Sequence, residues 1–520
     1  MRVKPAVIWR SITRLIAGNR LFAAVLVPAL ALRVDAELGY RWQSWFNDSF
    51  TYVGSAVTLT PETDRPSGYP LYLWLLSPAH SYLLVTASQH LMGLLVAVMI
   101  YALARHRFGA PAWAAVLATL PVLFDGFEIQ LEHLLMADTL FLFLVMAAVT
   151  VVLWSPRPSW RACLAAGLLL GVSSTVRSTG LPLLAVFIVY LLVRLFPARP
   201  IKWRVLPSGA QSGVTGGRPP RRRLRVTVAG LAACCVAFAV PLLGYQAWYK
   251  SAHGEFAMTD STGVFLYSRV MTFADCSRMS LPTDLLPLCT SVPPDERPIA
   301  QAYIWTSISP LDRYSEPMFS PTVDKLAERF AIAAIEAQPL DYAHAVWDDT
   351  VRSFEWNRSV FPNGQTYDAY LFSSQPLEVP SGSYHGYQSV EAYYARGNPQ
   401  TVVVNPFAAI IRDYQRYVWL PGTLYGVILL VGLFGIVRRW RLSGSAALLP
   451  WLCSLALIVV PAATAEFDYR YVTTAVPFAC LAAAMAFGTA GLARRGAGGG
   501  PDGRLAETGH DQRNLTADAT

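Results

Sequence analysis

Long apolar runs broken by arginine clusters constrain this chain more than any other feature. Residues 82–104, 134–154, 226–248, 418–437 and 471–492 are almost wholly apolar, and 105–107, 157–161 and 438–441 carry the arginines between runs. A run of about 20 apolar residues matches the hydrocarbon thickness of a bilayer. Inside lipid the backbone must satisfy its own hydrogen bonds, which runs of this length do as helices. Only 15% of the 520 residues are charged, whereas soluble domains carry about a quarter; 54% are hydrophobic. A soluble enzyme is therefore excluded, and an all-α polytopic membrane protein is expected. The net charge of +8 does not point to nucleic acid, because the basic residues fall between the runs, as in the positive-inside pattern.

Alternation along the chain sets the expected topology. Arg2, Lys4, Arg10, Arg14 and Arg20 precede a first run at 21–32, read as an uncleaved span. Further spans are expected at 82–104, 111–124, 134–154, 163–172, 181–195 and 226–248, then at 418–437, 446–460 and 471–492, about ten helices with both ends in the cytoplasm. Residues 71–79 are apolar but short and flanked by proline, which suits a re-entrant or interfacial piece. The expected organisation is an N-terminal membrane module 1–248, an extracytoplasmic mixed segment 249–416 between spans seven and eight, C-terminal membrane helices 417–492 and a disordered cytoplasmic tail 493–520. The module contains a first outer loop, 35–80, and a basic cytoplasmic loop, 194–225, which has no Asp or Glu. Within 249–416, Ser320-Pro321 reads as a helix start. Serine caps free N–H groups, proline suits the first helical position, and Asp324 faces the positive dipole end.

This topology sends a sparse set of charges to the outer face: Asp48, Arg65, Glu128, Glu132, Asp138, Arg177, Glu466, Asp468 and Arg470. Asp48 stands among Trp45, Phe46, Phe50 and Tyr52, ahead of the turn Arg65-Pro66-Ser67-Gly68-Tyr69-Pro70. An ionisable group held beside a membrane is a functional candidate by default; pairing of these charges across loops is the alternative. Arginines at this face suit phosphate, since the guanidinium fork binds two oxygens at once. Asp138 can equally hold two helices together. Cys276 and Cys289 lie outside the apolar runs on the expected oxidising side, where they can pair. No zinc-type cysteine spacing is present.

Several motifs together resemble the GT-C glycosyltransferases, in particular the protein O-mannosyltransferase and aminoarabinose transferase branch in bacteria. They are the acid after the first span, RPSGYP leading into LYLWLL, Arg177-Ser178-Thr179-Gly180 after the fifth run, and Arg470-Tyr471 opening RYVTTAVPFACLAA. AIEAQPLDYAHAVWDDTVRSF is similar to the outer segment of bacterial relatives. Ser49 departs from the branch's frequent second acid, and the soluble part lies between spans rather than at the C-terminus. The resemblance implies a sugar donor on a polyprenyl phosphate and attack by an acceptor hydroxyl on the outer face, with inversion. The acceptor would be a glycan, lipid or protein. Asp48 would be the base, with burial raising its pKa toward the working pH. Arg177 and Arg470 would hold the phosphate, with Arg65, Tyr69, Glu128 and Tyr471 completing the substrate-binding set. Glu128 is also a candidate to hold a divalent cation; no other cofactor and no metal-ligand set is assigned.

A transporter or lipid flippase is the rival reading, and a non-catalytic membrane scaffold a third. Transporters place charges near the midplane between repeated halves, whereas the charges here sit at span ends. The expected topology predicts that a cysteine at Ser381 is labelled by a membrane-impermeant maleimide on intact cells and that one at Ser208 is not; the reverse pattern inverts the scheme.

Overall fold

The computed structural model describes residues 19–156, 158–195, 221–440 and 445–489. Arg2, Lys4, Arg10, Arg14, Arg157, Arg441, most of the basic loop 194–225 and the tail 493–520 lie outside the described residues. The chain is all-α, as expected, and its one two-stranded pairing among the described residues is a short tie rather than a layer.

The first run becomes α1, Arg20–Gly39, which continues well past the apolar stretch. It can do so because both terminal nitrogens of Arg33 find acceptors. Its guanidinium donates to the carbonyls of Ala29 (3.1 Å), Leu123 (2.9 Å) and Val122 (3.0 Å) and to Glu132 Oε1 (2.7 Å). Val122 and Leu123 belong to the short helix Leu120–Phe124, whose terminal carbonyls have no partners of their own. Arg33, 2% exposed, thus caps a second element. At the other end Gly39 lets α1 meet Ala408, since a Cβ there would lie 2.7 Å from the Ala408 nitrogen. Next, β1 (Tyr40–Arg41) pairs antiparallel with β2 (Val402–Val403), Tyr40 opposite Val403.

Two short helices follow, α2 (Asn47–Thr58) and α3 (Gly68–Leu76). The sequence assigned Gly68 to a tight turn. Its structural reason is close approach: a Cβ would stand 2.5 Å from the Thr175 carbonyl oxygen. That contact brings the Arg65 turn against the end of the helix that precedes Arg177.

Four helices among the described residues are long and apolar enough to cross a bilayer: Tyr82–Arg107, Ala137–Trp154, Thr227–His253 and Ser445–Thr464. A fifth is counted if Phe407–Tyr417 and Gly422–Arg438, bent by 61°, form one span. The remaining expected spans are present as helices of other kinds. Residues 111–124 break into Ala112–Leu117 and Leu120–Phe124, with Pro121 in the first turn of the second piece. Residues 163–195 fold as Trp160–Val176 and Leu183–Leu195, joined by a tight turn, Ser178–Gly180. The final helix is Tyr469–Ala486.

Segment 249–416 carries a core of its own around Val264, Tyr267, Phe330, Ala331 and Ala334. Pro321–Ala337 starts as expected, with Ser320 Oγ accepting from the Val323 N–H. Asp324 does more than face a dipole: its Oδ1 accepts from the Val264 N–H at 3.0 Å, hooking the helix Thr262–Val270 onto this one. Cys276 and Cys289, 13 residues apart with α-carbons separated by 6.1 Å, form a disulfide at the edge of this core. Closing a loop of that length contributes about 3 kcal/mol in the chain-entropy description. Cys276→Ser is expected to lower the stability of this segment by that order, read as earlier protease cleavage within 249–416 on heating. Unreduced wild-type protein should resist maleimide mass labelling at both positions.

Candidate functional site

Asp48 is the second residue of α2. The helix start is closed locally, with Ser49 Oγ accepting from the Phe46 N–H (2.9 Å) and the Ser49 N–H donating to the Phe46 carbonyl (2.9 Å). Ser49 therefore serves the turn that aims Asp48. An acid in a first helical turn is favoured by the helix dipole.

Each Asp48 oxygen carries a different guanidinium. Arg65 Nη1 lies 2.5 Å from Oδ1, and Arg470 Nη1 lies 2.9 Å from Oδ2. Both arginines have a second carboxylate at Nε: Asp64 for Arg65 and Asp468 for Arg470, each at 3.0 Å. Asp468 is fixed in turn by the Tyr370 hydroxyl, which donates to Oδ1 at 2.7 Å. Aromatic faces complete the cradle, with Arg65 over Tyr52 and Arg470 over Phe46 and Tyr471. The second face of this arrangement is Arg177. Its guanidinium stands 5.2 Å from the Tyr471 ring centroid and is ion-paired with Asp138. The side chains of Asp48, Arg65, Arg177 and Arg470 keep 12–16% of their surface exposed, so the cluster is reachable rather than sealed.

Burial by itself would raise the Asp48 pKa, as the sequence reading expected. The adjoining guanidinium groups of Arg65 and Arg470 outweigh burial and hold the carboxyl well below the usual range. The expectation of a raised pKa is thus corrected: Asp48 is an ionised, cation-clamped carboxylate.

The other expected site residues divide. Tyr471 belongs to the cluster. Tyr69 is fully buried behind it, packing edge-on against Tyr52 and donating to Gln89 Oε1 at 2.7 Å. Glu128, 3% exposed, lies in a separate group with Asp125, Glu132, Arg33 and Arg358; burial and the neighbouring acids Glu132 and Asp125 keep its pKa well above the ordinary value. Asp64, Arg358 and the role of Tyr370 were not singled out from the sequence. Asp64 was in reach, being adjacent to Arg65, whereas Arg358 and Tyr370 lie far along the chain from their partners. A cavity of about 290 Å³ opens beside Asn47, lined also by Trp45, Gln130, Gln365, Asp368 and Gln375. Glu466 faces elsewhere, accepting from the Gln301 N–H at 3.0 Å.

Residues 71–256 match the dolichyl-phosphate-mannose-protein mannosyltransferase family. This bears out the GT-C resemblance read from the sequence. No curated protein matches the chain. Among solved structures, the chain is similar to the Saccharomyces cerevisiae protein O-mannosyltransferase Pmt1-Pmt2 complex bound to the sugar donor, with 18% identity over 45% of this chain and 34% of that one, TM-score 0.35. It is similar to the oligosaccharyltransferase AglB of Archaeoglobus fulgidus at 13% identity, over 90% of this chain and 50% of that one, TM-score 0.39. ArnT of Cupriavidus metallidurans gives 14% identity over 93% and 79%, TM-score 0.33. The chain thus spans about a third of the yeast chain's length and half of the archaeal one's.

Burial pushes the Glu466 carboxyl up to about 8. A folded-state pKa raised above the unfolded value means stability that is present below about pH 4.5 and lost as pH rises through about 8. Glu466→Gln keeps an acceptor for Gln301 and removes the titration. It is expected to raise the melting temperature at pH 8 and to flatten the fall in stability between pH 5 and pH 8.5, measured by thermal unfolding in detergent.

Proposed function

We propose that this protein is a membrane glycosyltransferase of the GT-C superfamily that moves a sugar from a polyprenyl-phosphate donor to an acceptor hydroxyl on the extracytoplasmic face. The observation that carries the reading is Asp48 held between Arg65 and Arg470, with Arg177 across the Tyr471 ring. A carboxylate and three guanidinium groups at one opening supply what the reaction needs, a proton acceptor and a seat for the leaving phosphate. The match of residues 71–256 to a mannosyltransferase family supports it, as does a multi-pass helical architecture. The similar solved proteins are seen with a sugar donor, with a dolichol phosphate and an inhibitory peptide, and with undecaprenyl phosphate.

In this reading the donor's phosphate enters at Arg177 and Arg470, and the acceptor hydroxyl approaches Asp48. The hydroxyl oxygen forms its bond to the anomeric carbon as the bond from that carbon to the phosphate oxygen breaks, with inversion. The proton passes to Asp48, and the polyprenyl phosphate leaves as an anion neutralised by arginine. Stabilising the charge on the departing phosphate contributes most to lowering the barrier of such a step. A carboxylate clamped by two cations is a weak base at rest. A phosphate that draws Arg470 away relieves the clamp, so Asp48 gains basicity once the donor is bound. The cavity beside Asn47, lined by amides and Asp368 alongside Tyr40, Trp45, Leu371 and Leu377, suits an acceptor that offers both hydroxyls and an apolar face. The segment 249–416, the first outer loop 35–80 and the site face outside, and 194–225 with both termini faces the cytoplasm.

Asp48→Asn is expected to reduce turnover by about 10²–10⁴-fold, with the protein still monodisperse in detergent. Arg470→Ala should both raise KM for the donor and lower kcat, because it removes charge from the phosphate before and during transfer. The measurement uses purified protein with a polyprenyl-phosphate sugar and a panel of hydroxyl acceptors. Turnover by Asp48→Asn close to wild type removes Asp48 as the base.

A further inference from the structure

Away from the arginine-clamped aspartate, three chemistry-bearing side chains from three separate elements converge. Glu37 comes from the end of α1, His90 from the helix Tyr82–Tyr101 and His133 from the last residue of the helix Gly126–His133. His90 is 4% exposed and His133 fully buried. One ligating atom from each lies within 4.8 Å of the others.

The outer hydrogen bonds of the two imidazoles fix which nitrogens carry protons. His90 Nδ1 lies 2.8 Å from Glu132 Oε2, a carboxylate that only accepts, so Nδ1 is the donor. His133 Nε2 lies 2.8 Å from the Tyr40 carbonyl oxygen, so Nε2 is the donor. The remaining nitrogens, His90 Nε2 and His133 Nδ1, are left as lone pairs facing each other at 3.2 Å. Two acceptors at that distance repel unless a cation lies between them. Glu37 Oε1 stands 3.8 Å from His90 Nε2, and neither Glu37 oxygen receives a hydrogen bond. The Thr86 hydroxyl lies within reach of the Glu37 carboxyl, but its shortest bond goes to the Trp42 carbonyl at 2.9 Å. The cluster also holds two carboxylates, Glu37 and Glu132, against one guanidinium, Arg33.

We propose that Glu37, His90 and His133 bind a divalent transition-metal cation of the zinc class. Ligand atoms about 2.0–2.2 Å from a tetrahedral zinc lie about 3.3–3.6 Å from one another; the two pairs at His90 Nε2 measure 3.2 Å and 3.8 Å, and the third, Glu37 to His133, lies within 4.8 Å, so a bound cation draws the Glu37 carboxylate inward. A shared proton would satisfy the two imidazoles and leave Glu37 unserved; a metal serves all three. The surrounding bonds are those a metal site needs, with each ligating imidazole donating its other N–H to a carboxylate or a backbone carbonyl. Gly93, one turn after His90, leaves the space that Glu132 occupies, since a Cβ there would collide with the Glu132 carboxylate.

The cation would act as a staple rather than in the reaction. It ties the end of α1 to the helix of His90 and to the piece whose next residue, Leu134, bridges to Ser44, four residues ahead of Asp48. Gln89, adjacent to His90, holds the Tyr69 hydroxyl behind the arginine cluster. The sequence hid this site because its ligands share no spacing motif.

The test is metal analysis of the full chain, purified without chelator and with its tag removed, by mass spectrometry and by X-ray absorption at the zinc edge. About one zinc per chain is expected, coordinated by two imidazoles and oxygen. Glu37→Gln and His133→Gln, monodisperse in detergent, should weaken zinc binding by at least about tenfold, and chelation of wild type should lower its melting temperature reversibly on adding zinc back. Wild-type protein that carries no transition metal and takes up none from added zinc overturns the site. So does bound zinc whose absorption spectrum shows no imidazole, a result that stands even where the variants fail to fold.

Discussion

Asp48 has a guanidinium on each of its two oxygens, and the placement of several elements depends on that pair of contacts. Arg65 arrives on the turn between α2 and α3, and Arg470 on the first turn of the final helix, 422 residues from its partner. A carboxylate removed from water is costly unless it is paired and hydrogen-bonded. The first loop and the last helix are therefore held together by the same contacts that form the candidate site.

The pairing extends outward. Asp64 and Asp468 occupy the Nε positions of the two arginines, and Asp138 pairs with Arg177. Each arginine thus already has a carboxylate, so an entering phosphate must compete for a guanidinium rather than fill an empty seat. This competition couples donor binding to the state of Asp48 in the proposed reaction. The arginine-and-aspartate pattern is also what an inert surface network would show, and what separates the two is the opening: the four central side chains remain partly exposed, while Arg33–Glu132 elsewhere is shut in almost completely.

Much of the fold was legible from hydropathy alone. The long runs became helices at nearly the expected bounds, as Ala137–Trp154 and Ser445–Thr464 show, because in an apolar stretch the backbone has no alternative partner. The start of Pro321–Ala337 was legible because its signals are local: a serine cap and a proline in the first turn. The break within 111–124 and the extension of α1 to Gly39 were not. The first depends on Pro121 in an otherwise apolar run, and the second on carbonyls and a carboxylate that Arg33 finds only across the fold.

By itself the sequence determined that the chain is helical, that it is rich in membrane-length runs, and that a few charges gather at the ends of those runs. It also marked Asp48, Arg65, Glu128, Glu132, Asp138, Arg177, Glu466, Asp468 and Arg470 as a sparse set of outer charges, from which the family resemblance drew Asp48, Arg65, Glu128, Arg177 and Arg470, with Tyr69 and Tyr471, as the site. Only the tertiary structure decided the partners. It set Arg65 and Arg470 on opposite oxygens of Asp48, moved Glu128 into a different group, placed Tyr69 behind the cluster, and turned His90 and His133 toward each other. Electrostatic state follows from neighbours a few ångströms away, and the neighbours of Asp48 come from opposite ends of the chain. The sign of its pKa shift, read as upward from burial alone, was therefore fixed only when the two guanidinium groups closed on it.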